Sequence, residues 1–464
     1  MRVIKTICIC WLFVGSVANA AEHHYRLSLD ETLDHISIEA RLAPGFSVLT
    51  ARNGDTEKLA SLTDCNGERV RTRRSSIRLT TDQSCVRYEY PLRVRGRQQR
   101  VKLAADVLIT SPSEWLWIPT LEEGDRVLIE LDTPETLHVS TPWQTIDSGA
   151  FVLHPSPQSS RSNVILGNFR ERTIPLPQAE LRVALLDGLT KPLNEDKILS
   201  WLDAAAQDVA GVYGRFPNPS LQVIVIPSGP GRRGGSGSPV PFGHVIRDGG
   251  EAVRFFVNAD KSLDDYLGDW TATHEFAHLL LPYIESSQKW ISEGFASYYQ
   301  NVLLARRGVY SEEDAWRRLN RSFNRANEID DPPSPNDTGD HPFWEVRMLV
   351  YWSGAAIALL ADVELREMSH GKESLDTVLG RLQSCCLPSQ RQWGGREFFF
   401  KLDELSKTKV FSRLYEEHAD SSGMPDLAEL CRRLGIKPVG DRVQLLDNAP
   451  LVDIRRSIMG QKGS

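Results

Sequence analysis

The stretch His274-Glu275-Phe276-Ala277-His278 is the most informative run of the 464-residue sequence. Two histidines four residues apart lie one above the other on one face of an α-helix, so their imidazole nitrogens can occupy adjacent corners of a tetrahedral zinc site. A pattern with only three fixed positions also arises by chance. The surrounding sequence therefore has to decide whether this run binds a metal.

The sequence around the run is typical of a helix with one buried face. Ser262 is a favourable N-cap, and Pro282 is expected to end the helix. Residues at helical spacing, among them Trp270 and Leu281, form an apolar stripe that His274 shares. The stripe predicts that His274 faces the interior, either as a metal ligand or as an ordinary core histidine.

A candidate third ligand, Glu293, lies on a second helical pattern that begins near Gln288. The chain runs about 5 Å from His278 to the end of the first helix and about 6 Å from the start of the second helix to Glu293, at 1.5 Å per residue. An antiparallel return therefore places Glu293 level with His278, and the small Gly294 would allow the two helices to approach closely. We predict one zinc ion per chain, bound by His274, His278 and Glu293.

Two further residues are candidates for catalysis. Glu275 adjoins the first ligand and would overhang the open fourth position, which predicts a general base for water; the alternative is a solvated helix glutamate. Tyr351 is the candidate donor to the oxyanion of a tetrahedral intermediate, although a tyrosine in such a helix can simply be packed. Gly354, one turn later, would let another element or the substrate come near.

These residues resemble those of the gluzincin metallopeptidases, and most of all the glycyl aminopeptidase family, which is related to aminopeptidase N and leukotriene-hydrolase-type enzymes. The resemblance extends from about Pro219 to Gly435 and rests on four blocks in order. The first is the zinc-binding helix, His274–His278, and the second is the Trp-x-x-Glu-Gly-x-x-x-Tyr-Tyr segment, Trp290–Tyr299. The third is an arginine-and-glycine stretch, Leu303–Glu313, and the fourth is the catalytic-tyrosine helix with the helix after it, Tyr351–Leu382.

The resemblance implies the same roles as the residues themselves: three zinc ligands, Glu275 as the base and Tyr351 as the transition-state donor. The chain departs from the family in two ways that bear on its activity and its domains. Relatives that remove N-terminal residues hold the substrate amino group with a glutamate in an edge-strand motif, and Pro241–Arg247 lacks that acid, with Glu251 a weak substitute. Many relatives also continue into a PDZ domain, whereas the residues after Pro438 are too few to form one.

The pattern of apolar and turn residues along the sequence predicts a multi-domain protein. An N-terminal all-β domain is followed by a thermolysin-like α/β plus α-helical catalytic domain. Short alternating strands with turn residues between them continue to about Arg182, and a helix-then-strand alternation follows. We assign residues 1–20 to a signal peptide, 21–182 to the β domain, 183–306 to the α/β subdomain with the zinc site, and 307–464 to a helical subdomain.

The N-terminus predicts export. Arg2 and Lys5 precede an apolar run, and Ala18-Asn19-Ala20 offers the small residues that a signal peptidase accepts. The run is too short to cross a bilayer, so we expect secretion, to the periplasm of a Gram-negative bacterium, without a stable membrane anchor. The 54 basic and 61 acidic residues give a net charge of −7 and no reason to expect a nucleic acid partner.

Five cysteines would remain after cleavage, namely Cys65, Cys85, Cys385, Cys386 and Cys431. Cys65 and Cys85 could form a disulfide bond across a hairpin, and Cys431 could bond to Cys385 or Cys386, but the sequence leaves the connectivity open. An odd number requires at least one unpaired thiol per monomer.

The combined expectation is an exported zinc metallopeptidase that hydrolyses peptide bonds by zinc-activated water, with a peptide or protein as its partner. The family resemblance favours an aminopeptidase. A zinc endopeptidase of the same fold and a non-catalytic, zinc-stabilised peptide-binding protein are the alternatives. Side-chain preference, oligomeric state and physiological substrate stay open.

Overall fold

The structure is a computed structural model. It describes residues 20–92, 106–155, 162–187, 192–228, 237–247, 249–389 and 391–460. The predicted signal peptide therefore lies outside the described residues, except for Ala20.

The N-terminal domain is built from short strands that pair antiparallel, except for β1 and β9, which are parallel. Alternation in strand β1 buries Tyr25 and Leu27 and exposes Arg26, as expected for a sheet with one face on a core. The largest sheet has seven strands in the order β11-β12-β9-β1-β2-β7-β4, and two three-stranded sheets, β10-β13-β8 and β3-β6-β5, complete the domain. Its elements are β1 Glu22–Leu29, β2 His35–Arg41, β3 Val48–Thr50, β4 Ala60–Asp64, β5 Arg71–Arg73, β6 Ser76–Arg78, β7 Cys85–Pro91, β8 Val107–Thr110, α1 Pro112–Trp115, β9 Arg126–Asp132, β10 His138–Ser140, β11 Gln144–Thr145, β12 Phe151–Leu153 and β13 Val164–Gly167.

A five-stranded mixed sheet forms the start of the catalytic unit, in the order β14-β15-β16-β18-β17. Its elements are β14 Arg170–Leu176, β15 Ala179–Leu185, α2 Glu195–Ala210, β16 Ser220–Pro227, β17 Phe242–Ile246 and β18 Ala252–Val257. β16 is central, and six consecutive buried residues reflect a strand covered on both faces. The predicted domain boundary at residue 182 falls inside β15, which pairs with both β14 and β16.

The rest of the chain is mostly helical, and helices α5 and α7 pack along each other at its centre. The elements are α3 Leu263–Leu267, α4 Thr271–Ala277, β19 Tyr283–Ile284, α5 Lys289–Arg306, α6 Glu312–Asn327, α7 Phe343–Met368, α8 Leu375–Cys386, β20 Gln392–Trp393, α9 Gly395–Ser406, α10 Val410–His418, α11 Ala428–Leu434, β21 Ile436–Val439, β22 Arg442–Leu445 and α12 Val452–Ile458. α7 has the length and composition to cross a membrane, yet 72% of its apolar window is buried inside the fold, as in the core helix of a globular protein. The predicted fold class, a β domain followed by an α/β and helical catalytic domain, is confirmed.

The contact between α5 and α7 depends on two facing glycines. A Cβ at Gly294 would lie 2.3 Å from Gly354 Cα, and a Cβ at Gly354 would lie 2.2 Å from the Trp290 carbonyl oxygen. No side chain fits at that separation, so both positions need glycine. Gly354 thus admits a neighbouring element, as predicted, whereas Gly294 brings α5 against α7 and not, as predicted, against the helix of the histidines.

The single helix predicted after Ser262 is two helices, α3 and α4. Ser262 caps α3 as predicted, but the helix ends at Gly268, and the Asp269 carboxylate then accepts a hydrogen bond from the Thr271 amide at 2.8 Å to start α4. The break turns Trp270 out of the predicted buried stripe, and it is 43% exposed. The histidine run keeps its helical spacing because it lies after the break.

The cysteines confirm one predicted disulfide and exclude another. Cys65 and Cys85 are bonded. Cys385 and Cys386, adjacent at the end of α8, are bonded to each other. They leave no thiol for Cys431 on α11, which is unpaired within the described part of the chain, so the predicted link from Cys431 to either of them is wrong.

Candidate metal centre

Three side chains from two segments meet at the predicted metal site. His274 lies on α4, His278 starts the 3-10 turn that follows it, and Glu293 comes from the second turn of α5. Glu293 Oε2 lies 3.3 Å from His274 Nε2 and 3.6 Å from His278 Nε2. Two ligands of a tetrahedral zinc ion at its usual bond lengths are about 3.4 Å apart. The spacing of the three donor atoms therefore fits zinc.

The outer nitrogens of both imidazoles are held by α5. His274 Nδ1 donates to Gln300 Oε1 at 2.7 Å, and His278 Nδ1 lies 2.8 Å from the Ser292 hydroxyl. In the tautomer with its proton on Nδ1, each imidazole turns the lone pair of Nε2 toward Glu293 Oε2, and the three atoms can then bind one metal ion. A cation at this point would be held by the two imidazole nitrogens and the carboxylate oxygen together. Sequence reasoning missed Gln300 and Ser292, although Gln300 lies two turns from Glu293 on the same helix.

The charges at the site are consistent with this arrangement. Burial lowers the pKa of His278 to about 3. Burial opposes ionisation of Glu293, but the neighbouring His278 and His274 outweigh it and lower the pKa of Glu293 to about 2. Burial likewise opposes protonation of His274, and the carboxylates of Glu293 and Glu275 reverse the effect and raise its pKa. The neutral imidazole of His278 and the carboxylate of Glu293 are the forms in which these side chains bind a metal ion.

Glu275 is fixed beside the three ligands by the edge strand β17. Its Oε2 accepts a hydrogen bond from the Val245 amide at 2.8 Å. A Cβ at Gly243 would lie 2.7 Å from Glu275 Cγ, so β17 can pass this close only with glycine there. Burial raises the pKa of Glu275 to about 7, opposed by the charge of His274. A carboxyl group with that pKa can both take and give a proton at neutral pH.

Tyr351 approaches the centre from α7. Its ring centroid lies 5.9 Å from that of His274, and its hydroxyl interacts with the Glu293 carboxylate. Burial and the charges of Glu293 and Glu275 raise the pKa of Tyr351 far above its ordinary value. The phenol therefore stays protonated and can donate a hydrogen bond.

Glu251, the weak substitute for an amino-group anchor, is occupied by another partner. Its Oε1 accepts from Nε and Nη2 of Arg247 at 3.0 and 2.8 Å. Arg247 also donates through Nη1 to the carbonyl oxygens of His278 and Leu281, at 3.1 and 2.8 Å. The pair therefore supports the turn that carries His278. Glu251 borders a cavity shared with Trp143 and Pro388 that none of the three metal-site residues lines.

Comparison with known proteins agrees with this centre and this fold. A sequence model of the M61 glycyl aminopeptidase family matches residues 283–332, which include Glu293. A search of curated proteins found no match.

Two solved structures illustrate the likeness in fold. An aminopeptidase N family protein from Idiomarina loihiensis shares 14% identity over 89% of this chain and 78% of its own, with a TM-score of 0.62. An M1 zinc metallopeptidase mutant from Deinococcus radiodurans, bound to a Tyr-Ser-Ala substrate, shares 14% identity over 88% of this chain and 95% of its own, with a TM-score of 0.53.

The chain thus has the fold of the two-domain zinc metallopeptidases, and His274, His278 and Glu293 form a group that could hold a metal ion. Within that class, the matched segment confirms the predicted resemblance to the glycyl aminopeptidase family.

Proposed function

We propose that this protein is an exported zinc peptidase that binds one zinc ion through His274, His278 and Glu293 and hydrolyses peptide bonds. The observation that carries the proposal is the convergence of three acceptor atoms within 4.8 Å of one another, with Glu275 beside them. A bound zinc ion would polarise the peptide carbonyl group and activate water at neutral pH. The Deinococcus radiodurans mutant is bound to a tripeptide substrate, which supports peptides as the substrate class.

The chain's own residues would manage the protons. The Val245 amide holds one oxygen of Glu275, which leaves the other oxygen to take a proton from the attacking water and to pass it to the leaving amine. The protonated Tyr351 would donate a hydrogen bond to the oxygen of the attacked carbonyl as its charge develops. Gln300 and Ser292 would keep the imidazoles oriented.

The test of this mechanism is the variant Glu275→Gln, which keeps the shape of the side chain and removes the base. We expect the purified wild type to contain about one zinc ion per chain, and the variant to keep the metal while losing about 10²- to 10⁴-fold in kcat. Absence of metal in the wild type, or unchanged turnover in the variant, would exclude the mechanism. Peptide binding without any cleavage by the wild type would support a non-catalytic binding protein instead.

The family resemblance favours aminopeptidase action, but one observation favours an endopeptidase as second candidate. The acid closest in sequence to the missing amino-group anchor, Glu251, is tied to Arg247. Comparing hydrolysis of a peptide with a free N-terminus and of its N-acetylated twin separates the two. An aminopeptidase cleaves only the free peptide near its N-terminus, whereas equal rates identify an endopeptidase.

Export to the periplasm is part of the proposal, and a contact at the expected cleavage point supports it. The Ala21 backbone nitrogen lies 2.7 Å from Asp125 Oδ1. Cleavage after Ala20 would convert this nitrogen into an ammonium group that pairs with the buried Asp125 carboxylate. Mass spectrometry of the protein from fractionated cells should find Ala21 as the first residue, in the periplasm. An intact N-terminus in the cytoplasmic fraction would contradict export.

A further inference from the structure

A cavity of about 430 Å³ lies beside the metal centre and is not used by the mechanism above. One wall is helix α6, which contributes Arg317, Arg318, Arg321 and Arg325. The other wall includes Trp270 and Gln300. A concave site with four guanidinium groups stands out in a chain whose net charge is −7.

Acidic neighbours neutralise only part of the charge of the four arginines. Arg318, Arg321 and Arg325 follow one another at helical spacing and therefore share a face of α6. Arg317 pairs with Asp314 at 2.9 Å, and Arg318 lies over the Tyr310 ring at 4.1 Å. In contrast, no acid pairs with Arg321 or Arg325 among the residues that the structure describes.

Like charges at this spacing repel one another and weaken the helix slightly. An anion bound between the arginines would attract each of them and offset their mutual repulsion. Guanidinium groups present a planar fork of donors that matches a carboxylate, and Ser322 adds a hydroxyl to the same wall.

The cavity shares two residues with the metal centre. Gln300 accepts the hydrogen bond from His274 Nδ1 at 2.7 Å, and the Trp270 ring stands edge-on to the His274 ring at a centroid distance of 5.5 Å. Both side chains also line the cavity. A group bound there would therefore lie behind the metal ligand His274, against the side chain that orients it.

We propose that this cavity is a carboxylate-binding subsite, in which Arg321 and Arg325 hold an acidic side chain of the peptide substrate or the carboxylate of a small free diacid. The first source rests on the proposed peptidase function, whereas the second does not. The subsite would make acidic peptides better substrates than neutral peptides of the same shape.

The substrate arm compares two peptides that differ only in one glutamate or glutamine, placed in turn at each position around the cleaved bond. For the wild type we expect kcat/KM to be about tenfold or more higher for the glutamate peptide at its best position. In the double variant Arg321→Gln/Arg325→Gln the ratio should approach one. Arg442→Gln, an exposed arginine on β22 with no acid partner in the described ranges, is the matched control and should keep the wild-type ratio.

The binding arm titrates glutarate into the wild type and the double variant by calorimetry, without any turnover. Glutarate binding that the double variant loses, with no glutamate preference in hydrolysis, identifies a free diacid as the ligand. A glutamate preference that the double variant loses identifies the substrate side chain. Absence of both in the wild type, or their persistence in the double variant, overturns the subsite.

The two proposals can fail separately. If the wild type hydrolyses no peptide, the peptidase function fails, and the glutarate titration still decides the subsite. If the double variant does not fold, as judged by its thermal unfolding, the single variants Arg321→Gln and Arg325→Gln replace it. Each is expected to lower the glutamate-to-glutamine ratio or the glutarate affinity several-fold.

Discussion

Helices α5 and α7 carry two buried groups of charged residues, one near the start of each helix and one farther along, and the two groups are built differently. The first contains Glu293 and Tyr351 with the histidines of the metal centre. The second contains Tyr298 on α5 and Asp362 and Arg366 on α7. The second group is buried, whereas Glu293 and Tyr351 in the first are partly exposed, and the two groups also differ in their hydrogen bonds.

Every oxygen of the second group has a donor. Asp362 Oδ2 accepts from the Tyr298 hydroxyl at 2.7 Å, and Oδ1 accepts from Arg366 Nε at 3.0 Å and from the Leu375 amide at 2.8 Å. The neighbouring Asp376 is satisfied in the same way, by Tyr299 at 2.8 Å and Arg306 at 2.8 Å. This network is complete without any ligand.

The metal centre, by contrast, has acceptors facing acceptors. The side chains of His274, His278 and Glu293 meet at one point, and the hydrogen-bond partners of the two imidazoles, Gln300 Oε1 and the Ser292 hydroxyl, lie on the far side. The comparison teaches that burial of charge alone does not indicate function. A buried group with balanced donors and acceptors stabilises the fold, whereas one that lacks a cation indicates a binding site.

The largest effect on stability is expected from the complete network. Asp362→Ala leaves Arg366 buried without its partner and should lower the free energy of unfolding by about 3–5 kcal/mol, measured by denaturant unfolding. The control Glu429→Ala removes one member of an exposed ion pair and should leave stability unchanged. A loss below about 1 kcal/mol for Asp362→Ala would show that the network is not the structural element described here.

The next largest effects are expected when one tyrosine in each group is replaced by phenylalanine. Tyr351→Phe should lower kcat/KM by about 10²- to 10³-fold with zinc content unchanged, because the donor to the developing oxyanion is lost. Tyr298→Phe should keep the activity and lower the stability by about 1–2 kcal/mol, because Asp362 loses a hydrogen bond. Steady-state kinetics and unfolding curves of both variants decide the matter, and equal effects on activity would remove the distinction between the groups.

The smallest effect concerns the support of the metal ligands. Gln300→Ala removes the acceptor that orients His274 and should weaken zinc binding about 10- to 100-fold, measured by competition with a chromophoric chelator. Gln207→Ala, on the exposed side of α2, serves as the control and should bind zinc like the wild type. Unchanged affinity in Gln300→Ala would mean that the hydrogen bond from His274 to Gln300 does not support the metal site.

Local sequence was sufficient for the main elements of this protein. The spacing of His274 and His278 predicts a shared helix face, and a short antiparallel return predicts Glu293 beside His278. Strand alternation before the catalytic unit and helical periodicity after it predict the order of the domains. These features depend on neighbours a few residues apart, which is the range over which sequence patterns act.

Other properties depended on contacts between distant segments. The break of the predicted helix at Gly268 and the approach of α5 to α7 through Gly294 and Gly354 are results of packing. The ion pair of Glu251 with Arg247 and the cavity in front of the α6 arginines likewise join groups that the sequence does not relate. The sequence by itself determined which residues could bind a metal. Only the tertiary structure decided that these side chains converge, with Gln300 and Ser292 behind the imidazoles, because hydrogen-bond partners are set by three-dimensional packing and not by spacing along the chain.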